Sequence, residues 1–310
     1  MPGGTLLTFE QIKKEQPRAA DLPSLMSCFQ AQNIPEYMLQ HYNSDFSTVE
    51  ESDDDDSGDL EDNLDVLQGY SLVMMIATLG FYEMHLLVIF CTQAWIRDFG
   101  SPELWKRRFL QSASQHFPSN VFKTREQCKT LMPHLQTLLD RQPSEESDRL
   151  EWSKLATNVS QYLLKLGDYS RAELITKGAV SIREKILGRE HTSTLSSMAH
   201  LALTYKVQGR LKEAEELEVE VMETRKSVLG EDHADMYRSM AHLAATYSSQ
   251  ERWTEAEKLD VPVMKESLRV LGEKHPETLL VMSDVVLIYE NQGRLEEAAA
   301  LAERRSIQTH

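Results

Sequence analysis

Cysteine is scarce in this chain of 310 residues: Cys28, Cys91 and Cys128 lie far apart, without the spacing of a zinc site or a disulfide framework. A reduced, cytoplasmic protein is expected. Positive charge is also short, with 33 lysines and arginines against 49 aspartates and glutamates, a net charge of −16. Phosphate backbones repel such a chain, which argues against general nucleic-acid binding. The opening MPGGTLLTFEQIKKEQPRAA lacks a basic segment followed by an apolar core, so no secretory signal is expected. One apolar stretch, residues 70–96, is long enough to cross a bilayer. However, Gly80, Glu83 and His85 interrupt it, and the turn-like Thr78-Leu79-Gly80 divides it. Two short strands, Ser71–Ala77 and Phe81–His85, forming a buried hairpin ahead of a helix Leu86–Arg97, are expected in place of a membrane span. Catalytic motifs are missing too: there is no H-E-x-x-H, G-x-S-x-G or C-x-x-C, and no G-x-x-x-x-G-K-[ST] loop to cradle phosphates. Neither an enzyme nor a bound cofactor is expected.

Acidic residues are plentiful and clustered. Asp45 to Asp65 holds eleven of them and no lysine or arginine. Self-repulsion, with Ser52, Ser57 and Gly58, predicts a solvated loop over residues 45–68. A calcium loop starting at Asp53 would place Gly58 at position six, but Leu64 stands at position twelve, where a glutamate is needed.

The carboxy-terminal half is periodic. Leu187–His191 (LGREH), Leu229–His233 (LGEDH) and Leu271–His275 (LGEKH) recur every 42 residues. The same offset relates Met198/Met240/Met282, Tyr205/Tyr247/Tyr289 and Ala214/Ala256/Ala298, and a divergent copy begins near Glu151. Within a unit, Met198, Leu201, Ala202 and Tyr205 form one helical stripe. Gly209 suits the left-handed position that ends that helix, and a second amphipathic run leads to Gly230. Neither helix can bury its stripe alone, so the units must stack as hairpins. His191, His233 and His275 each open a different unit, too far apart to share a metal; bonding to helix-start backbone is expected instead.

These columns resemble the tetratricopeptide repeat (TPR) in its 42-residue, kinesin-light-chain-like form, over Glu151 to His310. The phrases SMAHLALTYKVQGRLKEAEELEVEVMETRKSVLGEDH and SMAHLAATYSSQERWTEAEKLD are similar to the repeat arrays of fungal NOD-like receptors, which couple them to an upstream NB-ARC nucleotide switch. Residues 1–44 resemble the helical segment after the NTPase core of those receptors. Tyr82 to Val88 resembles their winged-helix "MH-x-LV" stretch, and Trp95, Trp105, Phe117-Pro118 and Leu131 to His134 resemble the connector to the repeats, placing a winged-helix-like hairpin and connector at 69–140. In that family the histidine matching His85 senses nucleotide. Without a phosphate loop on the chain, His85 is read as structural.

The expected fold is therefore mostly α: a helical, winged-helix-like remnant, then an α-solenoid of about four TPR hairpins over 141–310. The expected function is a non-catalytic protein- or peptide-binding scaffold resembling the sensor half of such a receptor. Two alternatives are the carboxy-terminal part of an ATP/GTP switch whose NTPase lies elsewhere, and a kinesin-light-chain-like adaptor. The latter lacks the heptad coiled coil. The resemblance implies a peptide groove along the first helices. The column in which the family holds an asparagine reads Asn158, His200, His242 and Asp284. One turn onward stand Tyr162, Thr204, Thr246 and Ile288, and one turn back Ser197, Ser239 and Val281. With two histidines in the ladder, ligand binding is expected to vary between pH 5.5 and 7.5. The third unit carries two flaws: Glu251 replaces the helix-ending glycine, and Pro262 falls inside the second helix, where a kink is expected. No capping helix follows the last hairpin, so self-association is expected there.

Overall fold

The computed structural model describes residues 11–14, 16–40, 42, 56–76, 80–118 and 124–308. It divides into two compact units, residues 1–159 and 160–310.

The first unit contains α1 (Pro17–Met26), β1 (Ile34–Pro35), a 3-10 turn (Glu36–Met38), α2 (Asp56–Gly69), β2 (Val73–Met75), β3 (Phe81–Met84), α3 (Leu86–Phe99), α4 (Pro102–His116), α5 (Arg125–Asp140) and the first part of α6 (Glu146–Leu166). The expected hairpin is present, with Val73 opposite Met84 and Met75 opposite Tyr82. It is shorter than the sequence suggested, and Ala77, Thr78 and Leu79 lie outside the described residues. A third strand, not foreseen, pairs Ile34 with Tyr82 on the other side, giving the order β1-β3-β2. The hairpin is only half buried. Val73, Tyr82 and Met84 point inward, whereas Met74 and Met75 are 56% and 45% exposed.

The acidic loop needs a larger correction. Its first part, residues 45–55, lies outside the described residues, but from Asp56 the chain is helical. Leu60, Leu64 and Leu67 fall at i, i+4 and i+7 and are buried, and that stripe outweighs repulsion among carboxylates that can face water. Among the described residues no helix is long and apolar enough to cross a membrane.

The second unit continues α6 and adds α7 (Tyr169–Leu187), α8 (Thr192–Val207), α9 (Leu211–Leu229), α10 (Ala234–Ser249), α11 (Trp253–Val270), α12 (Pro276–Asn291) and α13 (Leu295–Gln308). The fold is mostly α, and consecutive helices from α7 to α13 pack on one another. The first helices of neighbouring hairpins also touch, α8 with α10 and α10 with α12. Ala202, Ala214, Ala244 and Ala256 are wholly buried, so the paired backbones approach closely. The small cluster of Leu195, Met198, Leu201 and Val221, with Val180 from the preceding hairpin, shows how each unit completes its core on its neighbour. Gly209 has φ 78°, and Glu251 at the equivalent position is forced to φ 61°. Pro262 does not end its helix, which runs unbroken from Trp253 to Val270.

Candidate functional site

The Leu-Gly-x-x-His histidines are helix caps. Nδ1 of His191, His233 and His275 accepts the backbone N–H of Ser193, Asp235 and Glu277 at 3.1, 3.1 and 3.3 Å. His85 does the same for α3, accepting from Leu87 at 3.1 Å. Four imidazoles thus take the role usually held by Ser, Thr, Asp or Asn. Among the described residues no group of His, Cys, Asp or Glu side chains could hold a metal. A cavity of about 750 Å3 in the first unit borders His85, but Glu83 is its one carboxylate and amides and apolar groups make up most of its wall.

The face of the first helices differs from expectation. His200 and His242 are half-buried and Asp284 is exposed. Asn158, half-buried, belongs to the first unit. The columns one turn away point inward. Tyr162, Ser197, Thr204, Ser239, Thr246 and Ile288 are all buried and are not available to a partner. Their polar atoms are used in packing. Ser197 and Ser239 hydroxyls accept from Arg183 and Arg225 of the preceding second helix, at 2.6 and 2.8 Å. Thr204 and Thr246 donate to the His200 and His242 carbonyls one turn back, at 2.9 and 3.3 Å. Positions three back and four on from these histidines stand roughly 40–60° round the helix, which is enough to turn them from groove to core.

The histidines do not titrate where expected. Burial, helped by Arg183, Arg225 and Arg238, pushes His200 down to about 4. Burial, then Lys206, His200 and Arg225, does the same for His242. Both stay neutral from pH 5.5 to 7.5, which removes them as the source of pH-dependent binding in that range.

Two buried carboxylates on the second helices were not anticipated. Glu218 on α9 and Asp260 on α11 are 4% and 2% exposed. They stand 42 residues apart, in the column that continues from Thr176, so the periodicity held the signal. Burial pushes both up to about 7.

Successive hairpins are joined by a ladder of clamps. The Gln208 side chain donates to Glu173 at 2.9 Å, Arg210 donates to the same carboxylate at 2.9 Å, and Arg210 also pairs with Glu213. Gln250, Arg252, Glu215 and Glu255 repeat the arrangement, as do Gln292, Arg294, Glu257 and Glu297. Each guanidinium also lies over the ring of Tyr205, Tyr247 or Tyr289, at 4.2, 4.2 and 4.1 Å.

Tetratricopeptide-repeat models match residues 154–193, 194–235 and 235–305. The carboxy-terminal half of the chain is a TPR array. A curated relative, a nucleotide-binding leucine-rich repeat (NLR)-like protein of Hyaloscypha variabilis, is 30% identical over 195 residues. That alignment covers 62% of this chain, and the chain spans 18% of the relative's length. Among solved structures, a Podosopora anserina protein described as a kinesin light chain with nearly identical TPR-like repeats is 22% identical, with a TM-score of 0.48, over 69% of this chain and 94% of that one. Aspartyl phosphate phosphatase F of Bacillus subtilis shares the fold with a TM-score of 0.52 at 11% identity, over 84% of this chain and 66% of that one.

Proposed function

We propose that the TPR array is a non-catalytic scaffold that binds an extended peptide segment of a protein partner along the first-helix face. The supporting observation is the column His200, His242 and Asp284. These side chains repeat every 42 residues and reach the surface, while the columns on either side are consumed by packing. Imidazoles and a carboxylate at one spacing can hydrogen-bond successive peptide groups of an extended chain. A random dodecapeptide display library selected on the full chain tests this. Bound peptides should be lost from H200A/H242A/D284A. Selection that yields nothing, or peptides indifferent to the triple variant, overturns the proposal.

The similarity to an NLR-like protein favours a second, compatible reading, in which the array is the sensor of a nucleotide switch whose NTPase lies outside these residues. No phosphate loop occurs in the 310 residues, so nucleotide control would have to come from another segment or chain. A cytoplasmic setting fits three cysteines that form no disulfide among the described residues. Self-association through the last hairpin is supported by Leu280, Leu287 and Leu295, which are 65%, 48% and 66% exposed. Sedimentation showing a monomer at all concentrations would remove it.

A further inference from the structure

One guanidinium inside the array has no counter-ion. Arg225 on α9 is 2% exposed, and among the described residues it pairs with no carboxylate. Its Nη1 donates to the Ser239 hydroxyl at 2.8 Å and to the Asp235 carbonyl at 3.3 Å, both on α10. Nη2 reaches the Ser196 hydroxyl on α8 at 3.4 Å, beyond the range of a good N–H···O bond. That hydroxyl in turn donates to the Thr192 carbonyl at 2.9 Å. A buried cation held by neutral oxygens alone is costly, because its charge goes unbalanced.

These contacts bring Arg225 up between two first helices, beneath the groove face. Ser196 is half-buried and stands one turn before His200; Arg238 holds the same place before His242. The Arg238 side chain is 62% exposed and pairs with the Asp235 carboxylate at 2.9 Å. Asp235 thus meets both guanidiniums, Arg225 at its carbonyl and Arg238 at its carboxylate. Two cations and one acid leave a positive charge unbalanced at this junction, where low-dielectric walls strengthen its field. The histidines, neutral from pH 5.5 to 7.5, add nothing to it.

We propose that the first-helix face selects its peptide by an aspartate or glutamate side chain, whose carboxylate seats between α8 and α10 on Arg238, above Arg225. The inference rests on the binding reading above and gives its ligand a charge. Arg238 makes the contact. With five N–H groups, its guanidinium can take the carboxylate without releasing Asp235. Arg225 supplies charge from beneath, and Ser196 marks where its tip meets the groove. The next junction lacks the pattern: Ser267 stands in the Arg225 column, Leu280 in the Arg238 column, and Asp284 is exposed one turn on. An anion is repelled there, which fixes where the acid sits. Binding should weaken as salt rises.

The dodecapeptide selection on the full chain tests the proposal. Peptides that depend on the His200, His242 and Asp284 column should be enriched in aspartate or glutamate. For the synthetic form of one such peptide, changing the acid to its amide should weaken binding about tenfold, and R238Q should do the same. The two losses should not add, because each removes one side of the same pair. K212Q removes a cation from an exposed position near the start of α9 and should have no effect; an equal loss there would reduce the result to bulk charge and overturn the inference. R225Q should also weaken binding, and because Arg238 is exposed, R238Q decides the matter if the buried change disturbs folding. Losses that add, or column-dependent peptides that are basic or uncharged, overturn this inference and leave the binding reading standing. A selection without column-dependent peptides defeats both.

Discussion

The Arg252 guanidinium lies over the Tyr247 ring, 4.2 Å from its centre, and grips Glu215 of the preceding hairpin at 2.7 Å. One side chain thus combines a stacked face with a charged edge, a pairing that lysine cannot reproduce. Arg252→Lys should lower the melting midpoint in thermal circular dichroism, and R210K/R252K/R294K should lower it further than any single change. Unchanged midpoints would show that the ladder adds nothing to cohesion.

Glu251 is strained in a way its counterparts are not. Its φ of 61° lies where glycine is at ease and a residue with a Cβ is not. Glu251→Gly should raise stability by about 1 kcal/mol, read from urea unfolding. A loss would mean that the Glu251 side chain contributes more than its backbone costs.

The imidazole caps can be tested singly. His233→Ala removes the acceptor for the Asp235 N–H and should cost roughly 0.5–2 kcal/mol, while His233→Asn should restore most of it. If asparagine fails where histidine succeeds, the capping bond is not what matters at that position.

Stability should pass through a maximum with pH. Glu218 and Asp260 hold their protons up to about pH 7, above their unfolded values, so their contribution is complete in acid and lost as pH rises through 7. The opposite holds for Glu173, brought down to about 2 chiefly by the Lys177 hydrogen bond, and for His200 and His242, brought down to about 4. The carboxylate stabilises above its unfolded value and fails as pH falls toward 2; the imidazoles stabilise above 6.5 and fail as pH falls toward 4. Between about pH 4.5 and 6.5 the two imidazoles and the two carboxylates oppose each other, so native midpoints should fall only as pH rises from 6.5 through 7, and E218Q/D260N should remove that fall. A decline that persists in the double variant would assign it to other groups.

Where an interaction repeats along the chain, the sequence made it readable. Leu-Gly-x-x-His announced the hairpins, and the left-handed backbone at Glu251 followed from aligning it with Gly209. The clamps were present as columns, but nothing in a row of glutamines and arginines says that their partners lie 35 and 37 residues upstream. Which side of a first helix faces water was harder. Ser197 and Thr204 flank His200 and look equally polar, but once buried they are satisfied by Arg183 from another helix and by back-bonding to a carbonyl. The stretch after Asp56 misled because charge count masked Leu60, Leu64 and Leu67.

Every rung of the clamp is split in the same fashion. Residues 208–249 contain the amide and guanidinium that reach back, at Gln208 and Arg210, and the carboxylate offered forward, at Glu215. A tandem duplication of that segment would bring a matching half-bond to each new seam. Lineages could therefore lengthen or shorten the array by whole copies, and recombination between units that keep these positions would leave no clamp charge orphaned.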